Sequence, residues 1–99
     1  MKMAFLVCNE FFIVEVMDLL RSADIDYYTR WDNATGKGRG TEPHLGSGTH
    51  GSTNSVLMIA FDDTKPLARL IELIGSLNAK ILRPDDRVRL FQVPLELIV

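Results

Sequence analysis

From Asn33 to Asn54 the chain carries almost nothing apolar apart from Leu45, and six of its seven glycines fall there. A segment of that length and composition adds little to a core, and long loops in compact domains tend to be functional or disordered. The core must therefore come from the two flanks. Their combined length suits one domain over 1–99, and 99 residues leave no room for a second. At 46% hydrophobic and 24% charged the chain has ordinary globular composition.

Each flank reads as strand, helix, strand. Met3–Cys8 is a short apolar run suited to a buried strand. Asn9 can cap the helix that follows, with Glu10 in its first turn. Ile13, Val16, Met17, Leu20 and Ala23 recur at spacings of three and four, which is one apolar helical stripe. Ile25, Tyr27, Thr29 and Trp31 then alternate with Asp26, Tyr28, Arg30 and Asp32, the pattern of a half-buried strand. Beyond the glycine-rich segment, Ser55–Phe61 is again strand-like. Asp62-Asp63-Thr64 supplies caps, and Pro66 fits a first helical turn. Leu67, Leu70, Ile71, Ile74 and Leu77 make a second stripe whose end Gly75, Ser76 and Asn78 weaken. Ile81–Asp86 connects to a fourth strand over Val88–Val93. The apolar tail Leu95–Val99 could finish the monomer core or serve a subunit interface. The order predicts a ferredoxin-like βαββαβ fold of the α+β class. It has an antiparallel sheet, two helices on one face and a long loop between strands 2 and 3.

Several function classes fall away. A net charge of −2 gives no general electrostatic reason to bind nucleic acid or an anionic membrane. The sheet topology is shared with RNA-recognition domains, but their Lys/Arg-Gly-Phe pattern is missing. The single cysteine, Cys8, permits no intramolecular disulfide, and at the end of a buried strand it reads as a packed thiol. No run is long enough to span a bilayer. The apolar start Met1–Cys8 is stopped by Asn9-Glu10 without a cleavage site, so a cytoplasmic protein is expected. No catalytic set of Ser, His and Asp or paired carboxylates is recognisable. An acylphosphatase-like hydrolase on this topology needs an arginine phosphate cradle in its first loop, and Asn9-Glu10-Phe11-Phe12 supplies none. The chain is expected not to be an enzyme.

Three groups of residues could bind something. In Gly36-Lys37-Gly38-Arg39-Gly40, glycines interleaved with two cations can bring backbone N–H groups and positive charge onto a phosphate or carboxylate, although the same composition describes a solvated hairpin tip. It is neither a Walker A sequence nor a dinucleotide fingerprint. His44 and His50, with Glu42 nearby, are proper ligands for zinc, nickel or copper. A third ligand would have to come from elsewhere, and two loop histidines bonded to backbone fit the sequence as well. Arg87 and Arg89 stand among Arg83, Asp85 and Asp86. Arginine suits bidentate anion contacts, and Arg87 at the strand entrance is the better placed, while alternating sign also marks a solvated surface.

The opening Met-Lys-Met-Ala-Phe-Leu-Val strand, the helix ending Leu-Leu-Arg-Ser-Ala-Asp-Ile and the Gly-Lys-Gly-Arg at 36–39 resemble the P-II nitrogen-regulatory family over nearly the whole chain. That resemblance implies a signal-transduction protein and a homotrimer. It further implies ATP or ADP between subunits and a mobile T-loop, here the 36–53 loop, that contacts a target protein. Leu82–Arg87 occupies the position of the family's B-loop. Aligning Leu90-Phe91-Gln92-Val93 with its last strand puts Arg87 where a phosphate-binding lysine stands. The chain departs from the pattern in three places. Gly40 replaces the glutamine that follows Gly-x-Gly-Arg, the Thr-Gly-Lys-x-Gly-Asp-Gly-Lys signature is absent, and the loop holds no tyrosine. The expectation is a divergent P-II-like regulator that binds a nucleotide or another small anion. The alternative is a module that binds a divalent metal through His44 and His50.

Overall fold

The computed structural model describes residues 1–37 and 52–99. Strand β1 (Lys2–Asn9) leads through a 3₁₀ turn (Glu10–Phe12) into α1 (Ile13–Ser22), followed by β2 (Thr29–Ala34). The second half runs β3 (Asn54–Phe61), α2 (Thr64–Lys80), a 3₁₀ turn (Pro84–Asp86) and β4 (Arg89–Pro94). The four strands form one antiparallel sheet in the order β2-β3-β1-β4. This is the expected βαββαβ arrangement.

One face of the sheet makes the core. Ala4, Leu6 and Cys8 of β1 and Leu57, Ile59 and Phe61 of β3 are buried with Ile13, Val16 and Leu20 of α1 and Leu67, Leu70 and Ile74 of α2. Both helices therefore cover the same side. The predicted caps form: Asn9 Oδ1 accepts from the Phe11 N–H at 3.0 Å, and Asp63 Oδ1 from the Lys65 N–H at 3.0 Å.

The expected half-buried strand from Ile25 to Asp32 is displaced to Thr29–Ala34 and is exposed through Asn33. Ile25 is consumed in ending α1. Asp24 adopts a left-handed φ of 59°, its N–H donates to the Arg21 carbonyl, and the Ile25 N–H reaches back to the Leu20 carbonyl at 2.9 Å. That is a Schellman ending with its apolar residue tucked in, since Ile25 is buried. A bulge between Trp31 and Ala34, with Asn33 at φ 58°, then bends β2 as it approaches the long segment. Helix α2 runs through Gly75, Ser76 and Asn78 to Lys80. Buried Ile74 and Leu77, which packs on the core, hold the last turns in place. The Asn78 side chain is used outside the helix: it accepts from the Val88 N–H at 2.8 Å and donates to the Val88 carbonyl at 2.9 Å.

Among the described residues, no helix covers the other face of the sheet. Register sets Phe5 between Met58 and Phe91, Met3 beside Val93, and Val7 and Trp31 on either side of Val56. Phe91 is 56% exposed and Trp31 48%. The tail does not finish the core: the Leu95 N–H donates to the Met1 carbonyl, and Leu97, Ile98 and Val99 are exposed.

Candidate functional site

Register brings both candidate segments to one end of the sheet. Asn9, the last residue of β1, lies opposite Asn54, and Asn54 lies opposite Ala34 at the end of β2. Arg89 opens β4 opposite Val7. The 36–53 segment and the 84–87 turn thus leave the sheet at the same end, beside its two outer strands. Those strands stand three spacings apart, about 14 Å.

On the β2 side, Gly36 sits against the start of β3. A Cβ there would come 3.1 Å from Asn54 Nδ2, so any larger residue would require that amide to shift. Lys37 is exposed. Gly38, Arg39, His44 and His50 lie outside the described residues, as does most of the 36–53 loop. Among the described residues no three His, Cys, Asp or Glu side chains are grouped to hold a metal ion.

On the β4 side, the Pro84–Asp86 turn is closed by the Arg87 N–H donating to the Pro84 carbonyl at 3.2 Å. Arg87 is exposed. Arg89 folds back, its guanidinium 3.4 Å from the same carbonyl, and Arg83 lies 3.9 Å from Asp86. The turn is therefore a mixed-charge surface in which Arg87 is exposed while Arg89 reaches back to the turn. The Asn78 bonds to Val88 fix where this turn meets β4.

Between these segments lies a polar cluster that sequence reasoning did not find as a unit. The Glu10 N–H donates to the Thr53 carbonyl at 3.0 Å, and Thr53 Oγ1 donates to Glu10 Oε2 at 2.8 Å. Asn9 Nδ2 donates to Ser52 Oγ at 3.2 Å while its Oδ1 caps the following turn. Asn9 and Ser52 are both buried. Neighbouring β2 adds Arg30, whose Nε donates to Asp32 Oδ1 at 2.8 Å, and Ser55 Oγ donates to the same oxygen at 2.9 Å. The hydrogen bond from Arg30, then that from Ser55, holds the Asp32 carboxyl below its ordinary range. Burial pushes the Cys8 thiol up to about 11, so it stays protonated at neutral pH. Local pattern flagged Asn9 and Glu10 as helix-start residues, but their partners lie 43 positions away.

A groove of about 440 Å³ between α2 and β4 is lined by residues that include Leu67, Ile71, Ile74, Leu90 and Phe91, with no charged side chain. It does not coincide with the candidate arginines. Among the described residues no helix is long and apolar enough to cross a membrane.

No family model matches the chain, and no curated protein does. Solved structures do. CPII from Thiomonas intermedia K12, bound to ADP and bicarbonate, superposes with a TM-score of 0.66 at 17% identity, covering 93% of this chain and 84% of that one. A second structure of CPII, named a nitrogen regulatory PII-like protein and bound to ADP, AMP and bicarbonate, gives 0.61 at 20% identity, covering 97% and 94%. A protein from Thermus thermophilus named for its likeness to PII signaling proteins gives 0.58 at 15% identity, covering 93% and 83%. At these identities the likeness establishes the architecture: along nearly its whole length, this chain has the ferredoxin-like fold of the PII-like proteins.

Proposed function

We propose that the chain is a PII-like regulatory protein of the cytoplasm that responds to a small anionic effector. It works as a homotrimer, takes a nucleotide such as ADP or ATP, or another small anion, in clefts between subunits, and meets a target protein through the 36–53 loop.

The observation that carries this reading is the placement of the cations relative to the uncovered face. Lys37 follows β2 and Arg87 precedes β4, the two opposite edge strands of one sheet, which stand about 14 Å apart. Setting the β2 edge of one copy against the β4 edge of another brings them together. The apolar face around Phe5, Met58, Trp31 and Phe91 supplies the reason for copies to associate. Gly38 and Arg39 follow Lys37 in sequence, and Arg89 stands two residues after Arg87. The ADP and bicarbonate held by CPII support an anionic effector, and its nitrogen-regulatory name makes nitrogen status the first signal to examine.

Titration calorimetry with ADP, ATP and bicarbonate, with and without magnesium, tests the reading. Saturable binding by a trimer is expected. K37A and R87A should each weaken a phosphate-bearing ligand about 10- to 100-fold, the worth of a hydrogen bond to a charged group. Unchanged affinity in R87A removes Arg87 from the site. The absence of binding to any of the three by an assembled trimer overturns the effector class.

A further inference from the structure

We infer that Glu10 and Thr53 form a latch that fastens the returning leg of the 36–53 segment to the 3₁₀ turn leading into α1, so that releasing the leg also uncaps that turn. The inference stands on the described residues alone and does not depend on the assembly or the effector proposed above.

The β1–β3 ladder ends at the Asn9–Asn54 pair. Ser52 and Thr53 lie beyond it, so the ladder does not hold them. They are attached by the Glu10 N–H to the Thr53 carbonyl, the Thr53 hydroxyl to the Glu10 carboxylate, and Asn9 Nδ2 to Ser52 Oγ. Thr53 Oγ1 also reaches Asn33 Oδ1 at a longer 3.5 Å; the shorter bonds all go to Asn9 and Glu10, the cap and first residue of the 3₁₀ turn. Asn9 is engaged at both ends of its amide: one end holds Ser52, the other caps the Phe11 N–H at 3.0 Å. Asn9 and Ser52 are buried, whereas the Thr53–Glu10 side-chain bond is exposed. The exposed bond is thus the one that a competing group can reach first. Once it opens, Ser52 moves with Thr53, the buried Asn9 amide loses its partner, and turning that amide to find another gives up the Phe11 cap.

This linkage makes a local opening with a defined membership, separate from unfolding of the sheet. The Glu10 and Phe11 amides belong to it. The Leu6 and Leu57 amides, central in the ladder, do not. A merely local contact between Glu10 and Thr53 would not move Phe11, whose bond is to Asn9.

Hydrogen exchange on the full chain, resolved by residue, tests the latch in T53V and E10A. Both variants should speed exchange of the Glu10 and Phe11 amides together, on the order of tenfold, the factor that one hydrogen bond supplies. Leu6 and Leu57 should keep their wild-type rates. E10Q and T53S, which retain an acceptor and a hydroxyl, should return both amides most of the way to wild type and keep the test decisive where a harsher variant folds poorly. Acceleration at Glu10 without Phe11 overturns the coupling. Unchanged rates at both, or equal acceleration throughout the ladder, overturns the latch.

Discussion

Replacing Phe91 with alanine separates the two faces of the sheet. Phe91 lies opposite Phe5 on the side no helix covers and is 56% exposed in one protomer. Complete burial of a phenylalanine stabilises by up to about 3 kcal/mol, so covering the exposed half of this one contributes about 1–1.5 kcal/mol per protomer. Over three copies the loss is about 3–4.5 kcal/mol, or two to three decades in the trimerisation constant at 1.4 kcal/mol per decade. The protomer itself loses less, because the core is built on the opposite face, and within the protomer Phe91 only helps to line the groove beside α2 and makes a cross-strand contact with Phe5 worth under about 1 kcal/mol. Sedimentation velocity across a dilution series reads the first quantity. Far-ultraviolet circular dichroism, with Trp31 emission as a reporter of the same face, checks that the protomer survives. Wild type should sediment as a trimer at concentrations where F91A is largely monomeric. An F91A series that superimposes on wild type shows that this face is not where copies meet, and wild type that is monomeric throughout removes the inter-subunit cleft with it.

Two further predictions concern the protomer. The Cys8 thiol, pushed up to about 11 by burial, is neutral in the folded chain between pH 9 and 11 while the unfolded chain ionises. The folded state then binds more protons, so stability falls as pH rises through that window, by about 2–3 kcal/mol in all. C8A should flatten that alkaline decline in urea titrations, and an unchanged slope would assign it to other groups. N78A strands the Val88 N–H and carbonyl at a residue only 2% exposed and should cost about 2–4 kcal/mol, read as a lower urea midpoint at fixed protein concentration. An unaltered midpoint would mean that the turn before β4 finds other partners.

The residues that were legible in the sequence are those whose structural partner is a near neighbour. Asn9 and Asp63 cap as expected because the N–H each accepts lies two positions on. The helical stripes and the strands β1 and β3 were legible because burial on one face imposes a period. Ile25 was misread for the complementary reason. Its alternation with Tyr27 and Thr29 fits a strand, yet a Schellman ending uses an apolar residue at that same place, and the left-handed Asp24 that decides between them leaves no mark in a hydrophobic pattern. Asn78 looked like a helix breaker because its amide competes with the backbone locally, but here the amide is taken by Val88, ten residues later. The site divides in the same way. Arg87 was a candidate from composition alone, whereas the bonds from Asn9 and Glu10 to Ser52 and Thr53 join residues far apart in sequence and follow only from the β1–β3 register.

That register also explains why an apolar-poor segment of this length can be carried by so small a domain. Its entry and exit are adjacent strands, with Ala34 opposite Asn54, so closing the loop costs only an entropy that grows slowly with its length. The exit strand β3 is central and lies against β1, whose end runs into the 3₁₀ turn that leads into α1. Residues returning from the loop therefore arrive beside the first backbone N–H groups of that 3₁₀ turn, where a cap residue already stands. Glu10 and Asn9 meet Thr53 and Ser52 because the topology delivers them there. The outer strand β4 arrives at the same end with Arg87, held in place through Asn78 from the far side of the core. A ligand that engaged Arg87 of one copy and Lys37 of the next would act two residues from β4 on one side and three from β2 on the other. Its binding free energy would then fall on the connection after β2 and on the turn before β4 that Asn78 anchors to the core.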